Sequence, residues 1–296
     1  MSKVYHNSFF AMGTRFNAVF PNADEEICEQ LFRMIENEIR RIEKKLSYFI
    51  SESLVSQINS QAYEENVKVD SEMLEILKLC FKYNELTNGA FDITMRRLVD
   101  YYKVNYDSDT TGLISCMQYI RLNEVVPSIR FENENAKIDL GGFGKGYALE
   151  KVQKLINDSP LESIFISFGE SSILTKGKHP SGKAWQVGVN DYNNSGKAAY
   201  TFELEDGSVS TSSNYFLDDS GQLTFKANVI NPINGKLKKE IETVSVKTKS
   251  PLEAEILSTA LLILNDEQIV AVKKDLTEVE VVKISYRNGE TLITQF

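Results

Sequence analysis

Residues 4–20 alternate polar and bulky apolar side chains (Phe9, Phe10, Phe16, Val19, Phe20) around Gly13, a period of two that predicts a pair of strands broken at the glycine. From 24 to 46 the period lengthens. Ile27, Leu31, Ile35, Ile39, Ile42 and Leu46 recur every three or four residues and predict a long amphipathic helix. Asp70 or Ser71 caps a second helix that reaches Leu86 and is closed by Asn88–Gly89. Residues 105–112 are polar and read as a loop, and 129–140 as a hairpin with arms IRF and AKIDL around ENEN. Ala148, Leu149, Val152, Leu155 and Ile156 share one helical face, and a strand follows over 163–168. Gly177 to Gly182 forms a turn before the strand WQVGV, and the chain stays β-rich with short turns to about 249. Pro251 opens a helix over 251–264 that is apolar nearly all round, the mark of a buried helix. A further helical run near 266–276 and strands over 279–286 and 291–296 finish the chain. With no repeat and no linker, the pattern predicts one α+β domain over 1–296, with two lobes.

One stretch breaks both periods. IDLGGFGKGYA (138–148) runs from Ile138 and Leu140 into Gly141, Gly142, Gly144 and Gly146, with Lys145 among them, and then into the helix. Glycine lets a backbone approach a ligand closely, and a helix start offers free N–H groups and a positive dipole end to an anion. Lys145 is followed by Gly146, not Ser or Thr, so this is not a P-loop, and the GxGxxG frame is absent. The stretch alone fits a phosphate site or a tight structural turn.

Composition narrows the field. The chain has 296 residues, 42% hydrophobic and 25% charged, as ordinary globular proteins are. A net charge of −9 argues against nucleic acid as a partner, so an anionic ligand needs a local cation. Cys28, Cys80 and Cys116 lie far apart and read as buried thiols. His6 and His179 are too few for a multi-histidine metal site. No run reaches membrane-spanning length and MSKVYHNSFF has no signal-peptide core, which leads us to expect a cytoplasmic location.

Few other residues suggest chemistry. Glu255 and Thr259 lie four apart on the buried helix and would form a carboxylate–hydroxyl corner for Mg²⁺; alternatively Glu255 reaches solvent and Thr259 bonds back to its own helix. Asp92 in NGAFDITM either caps a turn or faces a ligand, and Asp139 either meets a ligand or ties down the loop amides. STSSNY (210–215) and ANVINPING (227–235) are polar, turn-rich patches at strand ends. His179 reads as an exposed loop residue and Trp185 as core. No Ser–His–Asp, Cys–His or paired-carboxylate set stands out.

Taken in order, these segments resemble the FAD:protein FMN transferase (ApbE) family. AMGT (11–14), LSYFISESLVSQIN (46–59), NGAFDITM (88–95), IDLGGFGKGYALEKV (138–152), GKHPSGKAWQVGV (177–189), VSTSSNY (209–215), NVINPINGK (228–236) and EAEILSTALLIL (253–264) are similar to its motifs and collinear with them. The resemblance implies a flavin-binding, T-fold-like α+β domain. It also implies a Mg²⁺-dependent transfer of FMN from FAD to a threonine or serine hydroxyl of an acceptor flavoprotein, with AMP released. It implies FAD contacts at Met12, Gly13, Thr14, Tyr48, Phe91, Asp92, Asp139, Gly141, Gly142, Lys145 and Ser212. Its metal ligands would be Glu255, Thr259 and the carbonyl of Gly144.

The chain departs from the family at ligand-facing positions. Asn228 stands where the family's histidine is expected, and asparagine cannot act as a base at neutral pH. Glu255 stands for the family's aspartate, Gly169-Glu170-Ser171 for Gly-Gly-Asp, and Ser212-Ser213-Asn214-Tyr215 for Ser-Gly-Asp-Tyr. Two alternatives therefore stand beside transfer: an FAD pyrophosphatase and a non-catalytic FAD-binding homologue.

Overall fold

The computed structural model describes residues 4–105, 115–194, 196–217, 223–226, 228–287 and 289–296. The predicted loop at 105–112 lies almost wholly outside them. The chain begins with strands β1 (Val4–Ala11) and β2 (Thr14–Pro21), then helices α1 (Glu25–Leu46) and α2 (Leu54–Gln61), a short β3 (Val67–Lys68), α3 (Ser71–Leu86) and α4 (Arg96–Val104). Next come β4 (Ile120–Asn123), β5 (Ser128–Phe131), α5 (Gly144–Asp158), β6 (Ile164–Phe168) and β7 (Ser172–Lys176). The β-rich stretch holds β8 (Trp185–Asn190), β9 (Ala198–Leu204), β10 (Ser208–Ser213), β11 (Tyr215–Leu217), β12 (Leu223–Phe225) and β13 (Glu242–Thr248). Helices α6 (Pro251–Leu261) and α7 (Asp266–Lys273) and strands β14 (Glu280–Arg287) and β15 (Glu290–Gln295) complete the chain.

Eight strands form one sheet in the order β1-β2-β6-β7-β10-β13-β14-β15, antiparallel at every pairing. Helices α1, α5 and α6 pack together on one face, where Phe16, Ile166, Leu174, Val244 and Val246 meet Ile35, Leu149, Ile256 and Leu257. The β8–β9 hairpin covers part of the other face, burying Trp185, Phe202 and Leu204 against Ile173, Val209 and Val282. Among the described residues no helix is long and apolar enough to cross a membrane.

Local signals explain several boundaries. Met12 (φ 50°) and Gly13 (φ 73°) form the tight turn between β1 and β2, as the break at the glycine predicts. Asp24 and Asp70 cap α1 and α3 by accepting backbone N–H groups with their carboxylates. Ser250 caps α6, with Pro251 in its first turn.

Three expectations change. The hairpin is β4–β5, over 120–131, and 137–140 is not a strand. Ile138 instead exchanges two hydrogen bonds with the Asn59 side chain, both 2.8 Å, and the Asp139 N–H donates to the carbonyl of Ile93 at 2.7 Å. An extended segment whose backbone is satisfied by a side chain and a loop carries the same alternation as a strand. Helices α2 and α4, of eight and nine residues, were too short to stand out. Cys28 and Cys80 are buried, but Cys116 is half-buried beside the region outside the described residues.

The closest packing in the helical layer is at Gly146. A Cβ there would sit 2.5 Å from Cβ of Glu255 and 3.0 Å from Cα of Leu252. Gly146→Ala is therefore expected to destabilise the protein by about 1–3 kcal/mol through overpacking. Gly144→Ala, where an added Cβ meets nothing within 4 Å, is expected to be neutral or to stabilise by up to about 1 kcal/mol. Urea unfolding of the two variants checks the contrast, and equal effects contradict it.

Candidate functional site

The fixed segment at 138–140 delivers the glycine loop between two cavities. The first, of about 520 Å³, is bordered by the Met12–Thr14 turn, the segment 46–50 with Tyr48 and Phe49, and Gly144–Lys145. The second, of about 650 Å³, is bordered by Phe91, Asp92, Arg96, Gly142, Ser212, Lys226, Asn228 and Thr259. Asp139, Gly141, Gly169 and Ser171 border both, so the cavities adjoin along the loop. Each lies in the size range of small-molecule sites.

Helix α5 begins at Gly144 with no side-chain cap, so no side chain competes for its first-turn N–H groups. Asp139 holds the loop: its Oδ1 accepts the Gly141 N–H at 2.9 Å, the tie-down role, while its Oδ2 faces a guanidinium nitrogen of Arg96 at 3.4 Å. Gly142 abuts α6, and a Cβ there would lie 3.2 Å from Cγ2 of Thr259. Ser212 reaches the hydroxyls of Ser258 (2.9 Å) and Thr259 (3.4 Å).

Of the expected site residues, Glu255 alone borders neither cavity. It is 4% exposed, sealed beneath the loop instead of reaching solvent. Its Oε2 accepts the hydroxyls of Ser172 (2.6 Å) and Ser210 (2.8 Å), and its Oε1 pairs with the ammonium of Lys145. Burial pushes this carboxyl up, but the Lys145 charge and hydrogen bond and the two serine hydroxyls outweigh that and hold it below the usual carboxylate range. Thr259 donates back to the carbonyl of Glu255 at 3.1 Å, the intrahelical bond anticipated from spacing.

Those contacts bear on the magnesium that the resemblance implies. Mg²⁺ takes oxygen ligands in a near-octahedral shell, usually with one or two carboxylates. Here the carboxylate expected at the corner already receives three donors, one of them cationic. No group of three or more His, Cys, Asp or Glu residues gathers elsewhere among the described residues. The arrangement does not fit the ion.

Two other expected residues border the second cavity from the core. Phe91 is 3% exposed and packed in the main core. Asp92 does cap its turn, accepting the N–H and hydroxyl of Thr94, both at 2.6 Å. Its Oδ2 is sealed from solvent with no donor in hydrogen-bond geometry. Burial pushes the Asp92 carboxyl up, and the Ser115 and Thr94 groups beside it pull the other way without cancelling this.

Sequence reasoning missed Arg96. Its guanidinium lies 4.4 Å from the Tyr48 ring centroid and 5.1 Å from that of Phe49, and pairs with Asp100 at 2.9 Å. The four-residue spacing to Asp100 was readable as a helix pair; the reach to Tyr48 and Asp139, 48 and 43 positions away, was not. Lys226 was missed too. It is half-buried at the second cavity, and burial pushes its ammonium down. His179 is exposed, with its ring edge-on to buried Trp185 at 4.9 Å.

A mixed sheet-and-helix fold with a glycine loop set between two adjoining cavities defines the class of protein. The sequence pattern of the ApbE family matches residues 12–283, and the chain belongs to that family. An FAD:protein FMN transferase of Klebsiella pneumoniae (strain 342) is 22% identical over 282 residues, covering 89% of this chain and 79% of that protein. One from Treponema pallidum (strain Nichols) is 24% identical over 277 residues, covering 85% and 75%. Among solved structures, the ApbE protein of Thermotoga maritima superposes with a TM-score of 0.81 at 24% identity, covering 99% of this chain and 97% of that one. The flavin transferase ApbE of Vibrio cholerae gives 0.82 at 20%, covering 100% and 97%. These likenesses establish the fold.

The Asp92 environment generates a prediction. An acid whose folded pKa is raised binds its proton more tightly folded than unfolded, so ionising it opposes folding once the pH passes the unfolded value near 3.8. Asp92→Asn is expected to stabilise the protein by about 1–3 kcal/mol at pH 7 and to lose that advantage near pH 3. Stability curves of both proteins against pH check this; a pH-independent difference contradicts it.

Proposed function

We propose that the whole chain acts as one flavin-transferase domain that moves the FMN moiety of FAD to a threonine or serine hydroxyl of an acceptor flavoprotein and releases AMP. The observation that carries this reading is the pair of cavities sharing the Asp139–Gly141 wall. A dinucleotide laid across that wall has one ring system in each cavity and its pyrophosphate over the loop and the start of α5. Tyr48 offers the first cavity a half-exposed ring, and the uncapped α5 terminus offers its positive dipole end to the anion.

In this reading the acceptor hydroxyl oxygen attacks the FMN phosphorus. The bond from that phosphorus to the AMP oxygen breaks, and AMP leaves. The chain's residues contribute position and charge: Asp139 fixes the loop, Arg96 and Lys226 supply cationic groups at the second cavity, and Asn228 hydrogen-bonds without taking a proton. With no histidine to receive it, the hydroxyl proton passes to the departing AMP phosphate or to water, and transfer is expected to be slow.

The test combines the protein with FAD and an acceptor domain of a known FAD:protein FMN transferase, following AMP and covalent flavin on the acceptor. Asn228→His is expected to raise the rate about 10²–10⁴-fold by restoring a base. No covalent flavin from either protein, with the fold intact, contradicts transfer. FAD binding without AMP release from either selects the non-catalytic homologue, the reading that Asn228 itself favours. AMP release that needs no acceptor selects the pyrophosphatase.

A further inference from the structure

The junction beneath the glycine loop holds a complete set of charges before any ligand arrives. Glu255 sits on α6 where α5 crosses, and Gly146 makes that crossing close enough for the carboxylate to meet the Lys145 side chain from the adjacent position on α5. Ser172 on β7 and Ser210 on β10 reach Glu255 from the sheet below. Lys145 borders the first cavity and Glu255 borders neither, so the ammonium lies on the ligand side of the pair and the carboxylate behind it.

A carboxylate has about four lone-pair sites. Three accept these donors, and the burial of Glu255 leaves no room for a cation with its water shell to approach without displacing the lysine. Magnesium sheds water reluctantly and demands near-ideal geometry, so it competes poorly with a tethered ammonium already in contact.

We propose that the Lys145 ammonium, and not a divalent metal ion, is the resident cation of this site, and that the protein binds its dinucleotide without a divalent ion. The nucleotide half rests on the FAD reading; the metal half does not.

The test uses the full chain stripped with EDTA, the variant Lys145→Met, and the double variant Lys145→Met/Glu255→Gln, which removes both charges together. Thermal melting is recorded in EDTA and in millimolar MgCl₂, and FAD is titrated under both conditions. The parent and the double variant are expected to melt alike with and without Mg²⁺. Lys145→Met, which leaves the carboxylate open, is expected to gain a Mg²⁺-dependent rise of about 3 °C or more. The parent's FAD affinity is expected to change less than about twofold with Mg²⁺. A Mg²⁺-dependent rise in the parent's melting temperature, or a tenfold gain in its FAD affinity, overturns the proposal. So does a folded Lys145→Met that ignores Mg²⁺. If Lys145→Met does not fold, the parent and the double variant decide by their response to Mg²⁺: indifference in both upholds the proposal, and a response in the parent overturns it. A parent that binds no FAD under either condition removes the functional reading, and the melting data still decide the metal half.

Discussion

A single buried carboxylate organises the centre of this protein. Glu255 is enclosed by α5, α6, β7 and β10, and remains ionised because one ammonium and two hydroxyls converge on it. Removing one partner of such a buried pair typically costs about 3–5 kcal/mol, whereas replacing both with apolar groups is often neutral. The pair therefore fixes how the elements meet more than it adds net stability. Lys145 ties the first turn of α5 to α6, and the serines tie α6 to the sheet. Gly146 is the steric condition for all of it, because a side chain there would hold the two helices apart.

The cavities follow from that junction. With α5 anchored from below, the residues before it must cross the molecular surface as a loop, and three groups decide its path. Asn59 holds Ile138, the carbonyl of Ile93 holds Asp139, and Asp139 holds Gly141. Arg96 then links Asp139 to the Tyr48 ring on the other side. Rings, apolar side chains and Lys145 border the first cavity, polar groups and three cations (Arg96, Lys103 and Lys226) the second, and the loop divides them. The same geometry that sets the loop between the two cavities also removes the Glu255 carboxylate from the surface where a metal would need it.

Much of the scaffold was readable from the chain. Helix α1 announced itself through Ile35, Ile39 and Ile42, α3 through the cap at Asp70, and α6 through Pro251 and its apolar run, since burial of one face and satisfaction of terminal N–H groups are local matters. The serines of β10 were misleading. Ser208, Ser210 and Ser212 alternate toward the helices, where Ser210 and Ser212 meet Glu255 and Ser258, but polar side chains on a buried strand look like turn chemistry in sequence. The 137–140 segment misled in the opposite direction, because its partners are a side chain and a loop. For the site, the collinear motifs brought the residue types together. They carried no information on where the extra methylene of Glu255 would place its carboxylate, or on Arg96 reaching across to Tyr48.

The central claim is that a closed lysine–glutamate pair underlies a dinucleotide seat. Its most direct test is a crystal structure of the protein with FAD and Mn²⁺, with anomalous data collected for manganese. The account predicts the pyrophosphate over Gly141–Lys145, Lys145 still paired with Glu255, and no anomalous peak between Glu255 and Thr259. A manganese ion held by Glu255 and Thr259, with the lysine displaced into the cavity, contradicts it.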